Sequence, residues 1–308
     1  MVRSAQKSGE KNGVFYLISE KKRIGELFLL AAIYGAAYCS VFLLLGIIGY
    51  VFFRGFRILS MQFLLSVTSY LKGTTGIAGN LLNTLYIIVL TLLAAVVIGV
   101  GTAVYLSEYA QPGWAVRLLT FAIDTLAGIP SVIFGLFGMV FFGQVAGLGF
   151  SLLNGVLTLT LMVMPLIVRN TQDALRAVPE GYRKGALGLG ATKWQLIRRI
   201  LLPSSRSGIL TGVLLAAGRI IGESAALLFT AGSARILPVW GSGFGEMSGG
   251  LCRKILEPGG TLTVELYLSM QNGEYETAFG IGCVLILLIF LMNSLLKLVC
   301  RQEENEKQ

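Results

Sequence analysis

Histidine is absent from this sequence of 308 residues. Because histidine is a frequent general base and the commonest metal ligand in proteins, its absence excludes histidine-based catalysis and histidine-ligated metal sites. The four cysteines do not have the paired spacing of a zinc motif or a disulfide framework, and we expect free thiols at Cys39, Cys252, Cys283 and Cys300. The sequence therefore predicts no catalytic residues, no metal site and no cofactor.

Charged residues are also scarce. They make up 13% of the chain, whereas 55% of the residues are hydrophobic and the mean hydropathy is +0.75. This composition lies outside the range of soluble domains and is typical of a polytopic membrane protein. The net charge of +9 does not indicate a nucleic-acid partner, because the basic residues cluster at the ends of apolar runs.

Six apolar runs are long enough to cross a bilayer, which requires about 20 residues in a helix. They lie at about 27–53, 82–106, 120–142, 150–168, 207–230 and 277–299. The first run is too long for a signal peptide and has no convincing cleavage site, so we expect an uncleaved helix. The sequence predicts an all-α polytopic fold with six transmembrane helices.

The distribution of basic residues predicts how this domain is arranged across the membrane. We expect a cytoplasmic segment at 1–26, a transmembrane domain at 27–300 and a cytoplasmic tail at 301–308. Loops 54–80 and 232–275 would then lie outside. The first loop contains a short apolar patch, which predicts a surface or re-entrant helix, and the second is rich in glycine with mixed charge, as expected of an exposed surface.

Two charged residues interrupt the fifth run, where a charge at the bilayer centre costs about 2.5 to 3.5 kcal/mol. Arg219 and Glu223 are four residues apart, so on a continuous helix they would share one face. They could form an internal ion pair or a polar station on a transport pathway, and the residues leave both interpretations open. Glycines at four-residue spacings on the same run predict close helix packing: Gly208, Gly212, Gly218 and Gly222.

A proline break lies inside the third run, at Gly128, Pro130 and Ser131. Proline in a membrane helix frees a backbone carbonyl and is tolerated where a neighbouring helix or a cavity compensates. The break is therefore consistent with a packing kink or with the lining of a pathway. Asp124, just before it, is expected to be a helix cap or an interfacial charge.

The basic segment 172–206 lies between the fourth and fifth runs. Its apolar residues recur at helical spacing, which predicts two short amphipathic helices, the second ending at Pro203. These apolar residues are Ala186, Leu189, Trp194, Ile197 and Leu201. Such helices rest on anionic lipid or dock a soluble partner. The chain lacks the phosphate-binding G-x4-GK-[ST] loop, so it is not expected to hydrolyse ATP by itself.

Part of this segment resembles the cytoplasmic coupling motif of ABC importer permeases. Gly190, Ile200, Leu202 and Pro203 reproduce its G-x9-I-x-L-P spacing. Lys184, Gly185 and Ala186 stand where the motif usually has Glu-Ala-Ala, so a charge that normally faces the ATPase is reversed. Three further stretches resemble the PstA family of phosphate-specific ABC transporter permeases: TLYIIVLTLLAAVVIGVGTAVYLSEYA at 84–110, LAGIPSVIFGLFG at 126–138 and GRIIGESAALLFTAG at 218–232.

The resemblance implies a type I ABC importer permease that forms half of a pathway for inorganic phosphate. It implies a PstC-type permease partner, two cytosolic ATPases and an external phosphate-binding protein, in the cytoplasmic (inner) membrane of a bacterium or archaeon. Arg219 would contact the anion, Glu223 would tune or release it, and Pro130 and Ser131 would line the pathway. The matched residues from Lys184 to Pro203 would contact the ATPase.

Two alternatives remain. A permease for another oxyanion, such as sulfate or molybdate, fits the coupling motif, although the stretches around Arg219 and Pro130 resemble phosphate permeases. A stand-alone secondary transporter or channel could use Arg219 and Glu223 as an ion relay. That alternative offers no reason for the coupling-motif spacing.

Overall fold

The computed structural model describes residues 2–69, 74–234 and 254–305, and most of them are helical. The chain divides into two compact units, 1–53 and 54–308. Helix α1 (Val2–Gly55) accounts for the first unit. Its apolar part, Glu26–Gly55, is long and apolar enough to cross a membrane.

A small capped helix and a hairpin follow α1. Helix α2 (Met61–Leu65) begins at Ser60, whose hydroxyl accepts a hydrogen bond from the Phe63 amide at 3.1 Å. Strands β1 (Val67–Ser69) and β2 (Thr74–Ile77) then pair in antiparallel fashion. The short helix predicted in this loop is confirmed, whereas the hairpin was not predicted.

Three further helices are continuous candidates for membrane spans. Helix α3 (Ala78–Val104) continues as a π-helical turn (Tyr105–Tyr109), and α6 (Leu152–Arg176) follows later in the chain. The C-terminal helix, numbered α13, is Tyr275–Asn305, of which Tyr275–Leu295 is long and apolar enough to span. These helices correspond to the second, fourth and sixth predicted runs, although α6 extends past its predicted end at 168 to Arg176.

The third predicted run is not one continuous helix. It forms α4 (Trp114–Ala127) and α5 (Ser131–Gly138), which continues as a π-helix (Met139–Val145), with a bend of 108° between the two parts. Pro130 precedes α5 in an extended conformation, because its ring and missing N–H cannot continue α4. The break was predicted at the correct residues, and the two bent parts together are long and apolar enough for one broken span or a re-entrant segment.

The fifth predicted run is also interrupted. Helix α10 (Arg206–Gly222) ends before Glu223, which is extended, and α11 (Ala225–Thr230) begins two residues later. The continuous helix expected over 207–230 is therefore wrong. Among the described residues there are four continuous candidate spans, and the number rises to six if each of two bent helix pairs counts as one span: Trp114–Ala127 with Ser131–Val145, and Lys193–Ser204 with Arg206–Gly222.

Close contacts at glycines define the directions of the packed helices. A Cβ at Gly99 of α3 would lie 2.8 Å from Ile167 of α6, and one at Gly155 of α6 would lie 3.7 Å from Ile87 of α3. The step from Ile87 to Gly99 along α3 corresponds to the step from Gly155 to Ile167 along α6, so α3 and α6 run parallel. The segment between them, α4 and α5, returns the chain to the other end of the bundle.

Helix α10 packs against α6 in the opposite direction. A Cβ at Gly208 would lie 2.5 Å from Ala174, and one at Gly212 would lie 2.7 Å from Asn170. The small-residue contact predicted at these two glycines is confirmed. The other two predicted positions meet nothing within 4 Å: Gly218 and Gly222. We call the end of the bundle where α3 and α6 finish and α10 begins the coupling end.

Besides a small cluster of Ala103, Ile123 and Val168, two apolar cores stabilise the second unit. The larger lies among α3, α6, α10, α11, α13 and the helix Leu262–Gln271, numbered α12. The smaller lies at the coupling end, where α7 (Glu180–Gly188), α8 (Lys193–Leu196), its π-helical continuation (Ile197–Leu201) and α9 (Leu202–Ser204) fold against the last turns of α6. The two short amphipathic helices predicted here are confirmed, with the second ending one residue after Pro203.

The remaining predictions about loops and cysteines are only partly covered by the described residues. Among the described residues, neither the exposed Cys39 nor the buried Cys283 forms a disulfide. Cys252, the side chain of Cys300 and most of the second predicted external loop, 235–253, lie outside the described residues.

Candidate functional site

Arg219 lies in the last turn of α10, near the middle of the bundle. Because α10 runs antiparallel to α6 and Gly212 meets Asn170, residue 219 falls level with about residue 163 of α6 at 1.5 Å per residue. Residue 163 lies close to the centre of α6 (Leu152–Arg176). The side chain of Arg219 is half-buried. A positive charge therefore lies at mid-depth in the helix bundle.

Glu223 does not pair with Arg219. Its carboxylate Oε1 accepts a hydrogen bond from the Ala226 amide at 3.0 Å, at the start of α11, and the residue is 9% exposed. Among the residues that the structure describes, no carboxylate lies within 4 Å of the Arg219 guanidinium. The interpretation of these residues as an internal ion pair is wrong, because the helix ends between them and the four-residue geometry is lost.

The backbone at this break has a second partner, from α12. The Thr263 hydroxyl donates to the Glu223 carbonyl at 2.8 Å, so a group freed by the break remains hydrogen-bonded inside the protein. Sequence analysis did not identify Thr263. The one sequence feature that could have indicated it is Thr261, two residues earlier, because threonine is a common helix N-cap. Thr261 does cap α12, since its side chain accepts a hydrogen bond from the Val264 amide.

The proline break in the third run lies at nearly the same depth as Arg219. Gly138 of α5 packs against Thr158 of α6, and these helices are antiparallel, so Ser131 falls level with about residue 165 of α6, within about 3 Å of the Arg219 level. Pro130 is exposed, Ser131 is half-buried, and no side chain caps this helix end. The uncapped N-terminus of α5 therefore starts at mid-depth.

Close packing joins the segments that follow the two breaks. A Cβ at Gly135 of α5 would lie 2.8 Å from the Ala226 Cα, at the start of α11. Only a glycine allows the two backbones to approach this closely. The two breaks that sequence analysis treated separately therefore belong to one region of the bundle.

Asp124 is neither a cap nor part of this region. Its carboxylate forms an ion pair with Arg169 of α6, and both side chains are about half exposed. Arg169 lies toward the coupling end of α6. A partly exposed ion pair near that end agrees with the interfacial charge that the sequence predicts, and the position of the membrane surface there stays a prediction.

The predicted coupling residues are all at the coupling end. Ala186 is buried in the smaller core, and Ile200 and Leu202 pack against it. Gly190 has a φ of +82° in the turn between α7 and α8, a conformation that favours glycine. The remaining members of the motif lie on exposed α7 or in α9: Lys184, which pairs with Glu180 at 2.8 Å, Gly185 and Pro203.

The predicted apolar stripe of this segment divides between two surfaces. Ala186, Ile197 and Leu201 point into the smaller core. Leu189 and Trp194 point outward, 91% and 60% exposed. An exposed apolar surface on an otherwise basic segment is typical of an interaction site.

At the opposite end of the bundle, buried polar side chains hold the start of α12 against α3. Asn80 donates to the Glu265 carboxylate at 3.2 Å, and Asn83 donates to the Gly260 carbonyl at 3.1 Å. The Thr84 hydroxyl accepts from the Leu262 amide at 2.9 Å. Sequence analysis missed this network because its members are far apart in the chain.

The fold and the coupling helices define a polytopic permease of the type I ABC importer class. A chain of the methionine ABC transporter MetNI in an inward-facing conformation superimposes with a TM-score of 0.56 at 19% identity, over 73% of this chain and 95% of that chain. Residues 95–302 match the family described as binding-protein-dependent transport system inner membrane component, and the chain belongs to that family. It is a transport subunit and not an enzyme.

Individual relatives cover much of the chain. The probable ABC transporter permease protein YqgI of Bacillus subtilis is 33% identical over 282 residues, 90% of this chain and 93% of that protein. The phosphate transport system permease protein PstA of Mycobacterium leprae is 35% identical over 223 residues, 71% of this chain and 68% of that protein. The PstA of Yersinia pestis is 42% identical over 134 residues, 43% of this chain and 45% of that protein.

The role of Glu223 as a helix cap predicts a specific pattern of stabilities. We expect Glu223→Ala to lower the free energy of unfolding by about 1 kcal/mol, the usual effect of losing a capping acceptor. Glu223→Gln keeps an oxygen acceptor and should retain most of the stability. Arg219→Ala should leave stability unchanged, because no carboxylate is left unpaired. Thermal unfolding of the purified chain in detergent measures all three, and equal losses in Arg219→Ala and Glu223→Ala would restore the ion-pair interpretation.

Proposed function

We propose that this chain is a membrane-spanning permease subunit of an ATP-driven importer of inorganic phosphate, in which it forms half of the translocation pathway. The observation that carries the proposal is Arg219, a half-buried cation at mid-depth with no acidic partner among the described residues. Relatives named as PstA phosphate permeases support phosphate as the cargo.

The chemistry of Arg219 suits an oxyanion. Its guanidinium is always charged and presents paired N–H donors that match phosphate oxygens. In the low dielectric of a membrane protein this attraction is stronger than in water. The uncapped N-terminus of α5, at the same depth, adds partial positive charge from its aligned peptide dipoles. A phosphate ion crossing at this level would exchange its hydrating water molecules for hydrogen-bond donors of the protein.

Glu223 has a different role in this proposal from that of a counter-ion. Its carboxylate is bound to the α11 amide, so it does not neutralise Arg219. We propose that Glu223 holds the two helix ends apart at the level of the pathway. Its negative charge would also tune the electrostatic field of Arg219 from the other side of the helix end. Pro130 and Ser131 shape the facing break, and the Ser131 hydroxyl is a further donor for the anion.

The family implies ATPase and substrate-binding partners, and we propose their identities more closely. A PstC-type permease would complete the pathway, two cytosolic ATPases would bind the coupling end, and an external phosphate-binding protein would deliver phosphate to the opposite end. Both termini would then be cytoplasmic, because α6 ends at the basic residue Arg176 and Lys297 follows the apolar part of α13.

Reconstitution tests the cargo and the energy source together. Proteoliposomes that hold this chain with its candidate partner permease, ATPase and binding protein should take up radiolabelled phosphate only when ATP, ATPase and binding protein are all present. Excess sulfate should not suppress the uptake. Suppression by sulfate or molybdate would favour another oxyanion, and uptake by this chain alone, without ATP, would favour a secondary transporter.

Contact with the ATPase is proposed through the outward-facing apolar residues of the coupling helices. Leu189 is 91% exposed at the end of α7, and Trp194 and Tyr182 lie exposed on the same segment. Exposed aromatic and aliphatic side chains of this kind dominate binding energy where a partner covers them.

Substitution at Leu189 tests this contact. We expect Leu189→Asp to weaken binding of the ATPase by about 30-fold, because a charge would be buried against the partner. The matched control is Leu118→Asp on α4, which replaces an exposed leucine outside the coupling segment. Co-purification of the ATPase with the tagged permease measures both. Equal retention of the ATPase by both variants would show that α7 is not the contact surface.

A further inference from the structure

Arg183 of α7 joins the coupling helices to the ends of two spanning helices at once. One guanidinium nitrogen forms an ion pair with the Glu108 carboxylate, in the π-helical turn that ends α3. The other donates to the Leu175 carbonyl at 2.9 Å, in the last turn of α6. A single side chain of α7 therefore contacts two other elements, and sequence analysis did not connect these three elements.

The Arg183–Glu108 pair is largely shielded from solvent. The Glu108 side chain is 6% exposed and that of Arg183 is 24% exposed. The neighbouring pair on the same helix, Lys184 with Glu180, has exposures of 80% and 77%. Exposed pairs contribute little and are screened by salt, whereas a shielded, multiply bonded pair holds its partners in one geometry.

A second contact links the other coupling helix to the same turn. The Lys193 ammonium, at the start of α8, lies over the Tyr109 ring at 5.1 Å from its centroid, a cation–π geometry. Val104 of α3 also packs against the smaller core. The two coupling helices thus contact successive residues of one turn, Glu108 and Tyr109.

The turn that receives these contacts is itself irregular. Residues Tyr105–Tyr109 form a π-helix, a feature often found at functional sites and able to shift the register of a helix end. Beyond it, α3 runs parallel to α6 and packs closely at Gly99. A displacement of the turn would therefore pass along α3 toward the level of the pathway.

We propose that Arg183 is a positioning residue that transmits movement of the coupling helices to α3 through Glu108. When the ATPases move α7, the Arg183–Glu108 pair pulls the end of α3 with it, while the bond to the Leu175 carbonyl keeps α6 in register. This inference rests on the proposed coupling to ATPases but does not depend on which oxyanion is carried.

The ratio of transport to ATP hydrolysis separates transmission from simple folding. In the reconstituted complex, Arg183→Ala and Glu108→Ala should each hydrolyse ATP while moving about tenfold less phosphate per ATP, the size of a typical coupling between sites. The charge-swapped double variant, Arg183→Glu with Glu108→Arg, should recover part of the ratio. Recovery is partial because a glutamate at 183 cannot donate to the Leu175 carbonyl. The matched control is Arg117→Ala, an exposed arginine on α4, which should keep the wild-type ratio.

Each outcome decides the inference. A lower ratio in both single variants with recovery in the swap supports it. An unchanged ratio of transport to ATP hydrolysis in Arg183→Ala overturns the inference. A variant that assembles less complex but keeps the wild-type ratio also overturns it. In both cases Arg183 would have only a structural role. Wild-type uptake of phosphate is measured in the same vesicles, so failure of the proposed cargo is distinguished from failure of this link.

Discussion

The bilayer provides no hydrogen-bond partners, and this constraint determines what the broken helices of this protein do with their polar groups. At the α10–α11 break, the Glu223 carboxylate binds the Ala226 amide and the Thr263 hydroxyl binds the Glu223 carbonyl. The acidic group nearest to Arg219 in sequence is thereby committed to the backbone. Within the described part of the chain no carboxylate neutralises Arg219 at mid-depth, and the proposed transport of an oxyanion depends on that charge.

The region around the two helix breaks also brings two distant stretches of sequence into contact. Gly135 lets α5 approach the backbone of α11, and the two breaks lie at similar depth. At the coupling end, Arg183 and a separate apolar core tie α7 and α8 to the ends of α3 and α6. The two helix breaks therefore lie near the middle of the bundle and the coupling helices lie at one end, and the parallel helices α3 and α6 connect these two regions.

Much of the fold could be predicted from sequence because hydropathy depends on local composition. The positions of the apolar runs, the break at Pro130, the amphipathic coupling helices and close helix packing at Gly208 were all predicted. The 108° bend, the π-helical turns and the hairpin could not be, since they depend on tertiary contacts. The Arg219–Glu223 ion pair, one of two interpretations that the sequence left open, does not form, because four-residue spacing brings side chains together only on an unbroken helix. No local signal marked Glu223 as a cap.

The most direct test of this account is to restore a positive charge chemically at position 219. In an assembled complex whose permease lacks its native cysteines, Arg219→Cys should reduce ATP-dependent phosphate uptake to below about a tenth of the wild-type rate, because the charge-assisted hydrogen bonds to the anion are lost. Modification with an aminoethyl thiosulfonate, which adds an ammonium group, should restore part of the uptake, whereas the neutral hydroxyethyl reagent should not. Equal uptake after the cationic and neutral modifications would contradict a role for the Arg219 charge in the pathway.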